Sequence, residues 1–163
     1  MELASDSRPA VDGRGRRVAI VVARFNQAVT EKLLAGAQTA LREAGVAKDA
    51  IAVVWVPGAF ELPLAARWLI AAGGCDAVVA LGAVIRGETD HYDYVCSETA
   101  RGLAELMAAT GVPIGFGLLT CDEPAQAFAR AGGASGNKGQ DAARAALEML
   151  AVKDEIAAAT GTR

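Results

Sequence analysis

The chain has 163 residues, 53% of them hydrophobic, and sixteen basic against nineteen acidic side chains leave a net charge of −3. That length gives one domain able to bury roughly 70% of its unfolded surface, and the weak acidic balance without a long Lys/Arg cluster excludes a track for a nucleic-acid backbone. Cys75, Cys96 and Cys121 are odd in number, far apart and without CxxC spacing, so they read as reduced cytosolic thiols, with neither a disulfide framework nor a metal site indicated.

Residues 1–15 form a polar tail ahead of a single domain at 16–163; the tail has no apolar core and so no signal peptide is expected. The longest apolar runs fall short of the roughly 20 residues of a membrane helix, so no membrane partner is expected. Strand and helix signals then alternate. Residues 17–23 are a short β-branched run, followed by a helix with Val29, Leu33, Ala37 and Leu41 at spacing four that ends near Gly45. Residues 51–56 predict a second strand and 62–72 a helix closed by Gly73-Gly74. Residues 77–83 are the third strand, and the helix after His91 places Val95, Thr99, Leu103 and Met107 on one face until Gly111 and Pro113 stop it. A fourth strand at 113–119, a short helix at 123–131 and a glycine-rich link at 132–139 lead to a long final helix. That helix repeats Ala142, Ala146, Met149 and Ile156. Strands apolar on both faces in a β-α-β-α order predict an α/β fold, a parallel sheet covered by helices on both sides.

In such sheets ligands bind outside the carboxyl ends of the strands. The unusual residues fall there: Arg24-Phe25-Asn26, residues 57–61, residues 84–91 and Thr120-Cys121-Asp122. The stretch from Gly82 to Tyr92 is the most informative. An apolar strand stops abruptly and gives way to Arg86, Gly87, Glu88, Thr89, Asp90 and His91, the only histidine of the chain. Imidazole is the side chain whose ordinary titration lies near neutrality, which makes His91 the first candidate for proton transfer.

Each signal has a plainer reading. Phe25 either caps the core or offers a flat face for stacking a heterocycle, with Asn26 as a matched donor and acceptor. Residues 57–63 are a stiff turn that starts a helix, with Glu61 favouring the helix dipole; alternatively Gly58 and Ala59 admit a ligand and Glu61 accepts from hydroxyls. Gly87-Glu88-Thr89 forms an anion pocket at a helix start, or Thr89 is an ordinary N-cap. Residues 132–139 lack P-loop spacing, and Arg130 and Lys138 read alone as surface charges.

Together and in this order, Arg24-Phe25-Asn26, the turn at 57–63, Gly82 to His91, Gly115-Phe116-Gly117 and Gly136-Asn137-Lys138-Gly139 closely resemble the lumazine synthase family. The resemblance runs from about residue 18 to about 156, and Gly-Glu-Thr-x-His is its most specific piece. It implies a flavodoxin-like three-layer fold and a cofactor-free condensation of 5-amino-6-(D-ribitylamino)uracil with 3,4-dihydroxy-2-butanone 4-phosphate to 6,7-dimethyl-8-ribityllumazine, phosphate and water. By matching motif, Phe25 would stack on the pyrimidine, and Ala59, Phe60 and Glu61 would hold the ribityl chain. The backbone of Ala83, Val84 and Ile85 would line the pyrimidine edge, Glu88 and Thr89 would contact the phosphate substrate, and His91 would transfer protons. In the family the site lies between neighbouring subunits of a pentamer, and Phe116, Arg130 and Lys138 match positions supplied by the neighbour. The compact link between Arg130 and Lys138 favours pentamers that assemble into an icosahedral shell. Tyr92 stands where Phe is common, and the tail, which in family members can add a strand to a neighbour, does not match. Archaeal-type riboflavin synthase shares the fold, and a catalytically silent flavin- or lumazine-binding shell protein is the reading from another class; intact Phe25, His91 and Arg130 favour the synthase.

Overall fold

The computed structural model describes residues 11–161. Strand β1 (Val18–Ala23) is buried along its whole length and sends alternate side chains to opposite faces. Val18, Ile20 and Val22 enter one apolar cluster, and Ala19, Val21 and Ala23 enter the other. Pleating with period two imposes this division, and burial on both faces explains why the run has no polar alternation. Strands β2 (Ile51–Val56) and β3 (Ala77–Ile85) flank β1 in parallel, with Val18 opposite both Ile51 and Ala77. Strand β4 (Ile114–Cys121) pairs with the far side of β3. The order β2-β1-β3-β4 is the flavodoxin-like, doubly wound arrangement.

Helices α1 (Gln27–Glu43) and α5 (Lys138–Thr160) cover one face, with Leu33, Ala37 and Leu41 meeting the Ala143 and Leu147 side of α5. Helices α2 (Leu62–Ala71) and α3 (His91–Thr110) cover the other through Leu62, Ala66 and Leu103. The short α4 (Pro124–Arg130) inserts Ala127 into the first cluster. Small residues set how closely α5 approaches. A Cβ at Gly115 would collide with the carbonyl oxygen of Ala142, and one at Gly139 with that of Leu33.

The structure departs from the sequence expectations in four places. Strands β3 and β4 run two residues farther, because the pairs Val84/Thr120 and Ile85/Cys121 continue the ladder. The glycine-rich link is an antiparallel hairpin, β5 (Ala131–Gly133) and β6 (Gly136–Asn137). It is fastened by Asn137, whose Oδ1 accepts from the amides of Gly139 and Gln140 at 2.9 and 3.2 Å while its Nδ2 donates to the Lys32 carbonyl at 2.9 Å. Met107, Met149 and Ile156 are 40%, 49% and 47% exposed, so they lie off the core. The buried stripe of α5 is instead Ala142, Ala143, Ala146, Leu147 and Leu150. Finally, residues 11–15 of the expected tail are partly anchored, since the buried Gly13 donates its amide to Ala44 O at 2.7 Å. Residues 1–10 lie outside the described residues.

Candidate active site

From β1 the chain crosses to β2 on one side and then returns past β1 to β3 on the other. By topology the crevice of such a sheet falls between the carboxyl ends of β1 and β3, the place where doubly wound sheets bind ligands. Three strand exits are locked together around it. The amides of Arg24 and Phe25 donate to Val56 O and Pro57 O at 2.8 and 3.1 Å, which joins the β1 exit to the β2 exit. Asn26 adopts a left-handed conformation (φ 59°) and donates Nδ2 to Ala83 O at 2.8 Å, which joins the β1 exit to β3. Thr30, fully buried in α1, donates its hydroxyl to Ala23 O at 2.8 Å.

This locked backbone leaves two aromatic rings in solvent. Phe25 is 71% and Phe60 60% exposed, so Phe25 is not a lid on the core. Ala59 is buried at the start of a single 3-10 turn (Ala59–Glu61), and Glu61 accepts the Gly58 amide at 2.9 Å through Oε2. That bond realises the turn reading of Glu61 and leaves its other carboxylate oxygen as a further acceptor. Asn26 likewise has one of its two amide N–H donors engaged by Ala83 O, which leaves the other N–H and Oδ1 for a ligand.

Ala83 is buried, Val84 and Ile85 are half-buried, and Glu88, Thr89 and His91 are exposed on the loop that follows. Helix α3 begins at His91, and the residue before it is Asp90, which makes no side-chain cap. Thr89 is therefore not the N-cap, and the plainer reading of that threonine is not realised. At the base of the loop Arg86 donates to Asp122 and Asp93 and lies over the Tyr92 ring, 4.0 Å from its centroid. Its hydrogen bonds to Asp93 first and Asp122 second push the Arg86 guanidinium further towards the charged form. Sequence reasoning did not assign Arg86, Asp93 or Asp122 a role, because Asp122 is 36 residues away and only the fold brings it near.

The remaining candidates come from β4, α4 and the start of α5. Phe116 is 50% exposed and pairs with Ala80, five residues before the end of β4, or roughly 16 Å along the strand. With Lys138 it lines a groove of about 380 Å³ between β4, α3 and α5. Lys138 forms an ion pair with Asp141 at 2.7 Å. Arg130, at the end of α4, donates only to a neutral partner in the bonds seen, Gln126 O at 3.1 Å. One copy of the chain thus brings Phe25, Asn26, Ala59, Phe60, Glu61, residues 83–85, Glu88, Thr89 and His91 to the strand exits, while Phe116 lies back along β4 between Lys138 on one side and Asp93 and Tyr94 of α3 on the other.

Burial raises the pKa of Cys75, Cys96 and Cys121, keeping each protonated. Among the described residues no cluster of three or more His, Cys, Asp or Glu could hold a metal ion, and no helix is long and apolar enough to cross a membrane.

Residues 15–154 match the family of 6,7-dimethyl-8-ribityllumazine synthase. A relative from Gemmatimonas aurantiaca, named 6,7-dimethyl-8-ribityllumazine synthase, is 56% identical over 142 residues, which cover 87% of this chain and 87% of that protein.

Proposed function

Because the chain belongs to the 6,7-dimethyl-8-ribityllumazine synthase family, we propose that the rim at the β1/β3 crevice is its active site. The chain is a transferase of riboflavin biosynthesis. It condenses 5-amino-6-(D-ribitylamino)uracil with 3,4-dihydroxy-2-butanone 4-phosphate to 6,7-dimethyl-8-ribityllumazine. The observation that carries the site assignment is the set of interlocked strand exits, which hold the backbone rigid while leaving Phe25 and His91 exposed beside the crevice.

Phe25 stacks on the pyrimidine, whose edge meets the backbone of residues 83–85 and Asn26. Ala59, Phe60 and Glu61 hold the ribityl hydroxyls, for which Glu61 keeps one acceptor oxygen. Glu88 and Thr89 sit at the positive end of the 20-residue α3, where amides and dipole favour the phosphate substrate. Attack of the pyrimidine amine on the ketone requires a proton for the departing hydroxyl and then proton removal as phosphate leaves. His91 serves both steps. Arg130 provides a fork for the phosphate. Much of the acceleration comes from holding two reactants together.

No cofactor takes part in this scheme. Phe116, Arg130 and Lys138 complete the site from a neighbouring copy, so the working unit is a homo-oligomer, a pentamer, in the cytoplasm. What supports this is the position of Phe116, roughly 16 Å back along β4 with Lys138 in the same groove, together with the family resemblance. The test is to mix both substrates with purified protein and follow the fluorescent lumazine, with no added metal or nucleotide. Product should form far above the spontaneous rate and be indifferent to EDTA. A rate equal to the spontaneous one, or a loss in EDTA restored by a divalent ion, sinks the reading.

A further inference from the structure

We infer that Arg86 is a positioning residue for the reaction: its guanidinium braces the loop bearing Glu88, Thr89 and His91 and does not bind the phosphate substrate. The inference rests on the active-site reading above and deepens it. Arg86 is the first residue past β3, and its amide donates to Cys121 O at 2.9 Å, next to the β4 exit. Its Nε donates to Asp122 Oδ1 at 3.0 Å, while its Nη1 and Nη2 reach the two oxygens of Asp93 at 3.3 Å each. The same guanidinium lies over the Tyr92 ring. Tyr92 and Asp93 directly follow His91 in the first turn of α3. The chain therefore leaves Arg86, runs through the loop, and is gripped by that same side chain on its return, with β4 as the fixed third point.

The charges decide between brace and ligand. Arg86 is the cation nearest His91 in sequence, so a phosphate role is the obvious alternative. Two carboxylates already face it, giving the three side chains a net charge of −1, and at least three of its five N–H donors are engaged. A dianionic substrate gains little from such a cluster. Arg130, bonded only to a carbonyl among the contacts seen, is the cation left to meet it. Exposed ion pairs add little to stability, but a planar fork held by two acids and a ring fixes geometry, which a lysine cannot reproduce.

The experiment is steady-state kinetics of lumazine formation, varying each substrate in turn, for Arg86→Lys, Arg86→Ala and Asp122→Asn. Small misplacements of reacting groups can cost up to about 100-fold, so kcat should fall about 5- to 50-fold, least for Asp122→Asn, with both KM values within about threefold. Hydrogen exchange should quicken over residues 86–93 in Arg86→Ala and stay unchanged in β1 and α1. Wild-type kcat in Arg86→Ala overturns the brace, as does full activity in Arg86→Lys. So does a raised KM for the phosphate substrate at unchanged kcat. Should Arg86→Ala fail to fold, the exposed Asp122→Asn decides by the same split. A wild type that makes no product removes the functional reading alone, and the exchange measurement still decides the brace.

Discussion

In the scheme proposed above the chemistry turns on His91, and its placement makes the cost of losing it specific. It occupies the first position of α3, exposed beside the crevice, so trimming it leaves no cavity in the core. His91→Ala should lower turnover while leaving pyrimidine affinity nearly intact, since in the proposed site Phe25 and the backbone at residues 83–85 hold the ring. General acid–base groups contribute about 10²- to 10⁴-fold, and the low end is expected because proximity alone accelerates this pair. A variant at wild-type rate from pH 6 to 8 would show that His91 has no part in the chemistry. The placement of Phe25 and the His91 loop at strand exits was legible in the sequence because each is an abrupt change of chemistry at the end of an apolar run. Arg86, Asp93 and Asp122 were not, because their meaning lies in one guanidinium spanning two strand exits. The commitment of the Asn26 amide to Ala83 was invisible for the same reason.

At the scale of elements, the strands and long helices could be read because burial on both sheet faces writes continuous apolar runs and spacing-four stripes. The hairpin at residues 131–137 could not, because its glycines read as slack when they in fact permit contact. Gly139 admits the backbone of α1, and Asn137 does the capping. Another long-range tie carries a pH signature. Asp76, just before β3, accepts from the Arg17 amide at 2.7 Å and its guanidinium at 3.2 Å, joining the starts of β1 and β3. Burial alone would raise its pKa, but these hydrogen bonds outweigh it and hold the carboxyl below the usual aspartate value. A depressed folded pKa gives stability that is fully present above the unfolded value near 3.9 and is lost as pH falls through the folded one. Asp76→Asn should therefore melt lower than wild type at pH 6, by about 2–4 °C if the screened pair contributes about 1 kcal/mol. The gap should narrow below about pH 4. Thermal unfolding of both proteins from pH 3 to 7 checks this, and a gap that widens in acid would mean the sign is wrong.

At the scale of the whole molecule, a single chain leaves several large apolar side chains exposed. Phe60, Leu64 and Trp68 recur four apart and are 60%, 49% and 64% exposed. A separate surface near β4 and α5 shows Phe116, Met107, Met149 and Ile156. Contiguous patches of this kind mark interaction sites. Two unlike patches on different sides of one chain suit a head-to-tail contact, which closes into a ring when the rotation allows. Such a ring would carry Phe116, Arg130 and Lys138 of one copy towards the Phe25 and His91 rim of the next, and it is the arrangement we propose. It makes a demand that neither surface alone would make. His91→Ala and Arg130→Ala subunits, each impaired alone, should regain activity when co-assembled, because random mixing creates intact sites from one copy of each at about one position in four. Activity should rise well above the mean of the two single variants, while sedimentation reports five subunits of 16.6 kDa or, if rings close into a shell, a particle on the order of 1 MDa. A mixture no better than that mean would mean that each site is built within one chain, and an active monomer would end the shared-site reading.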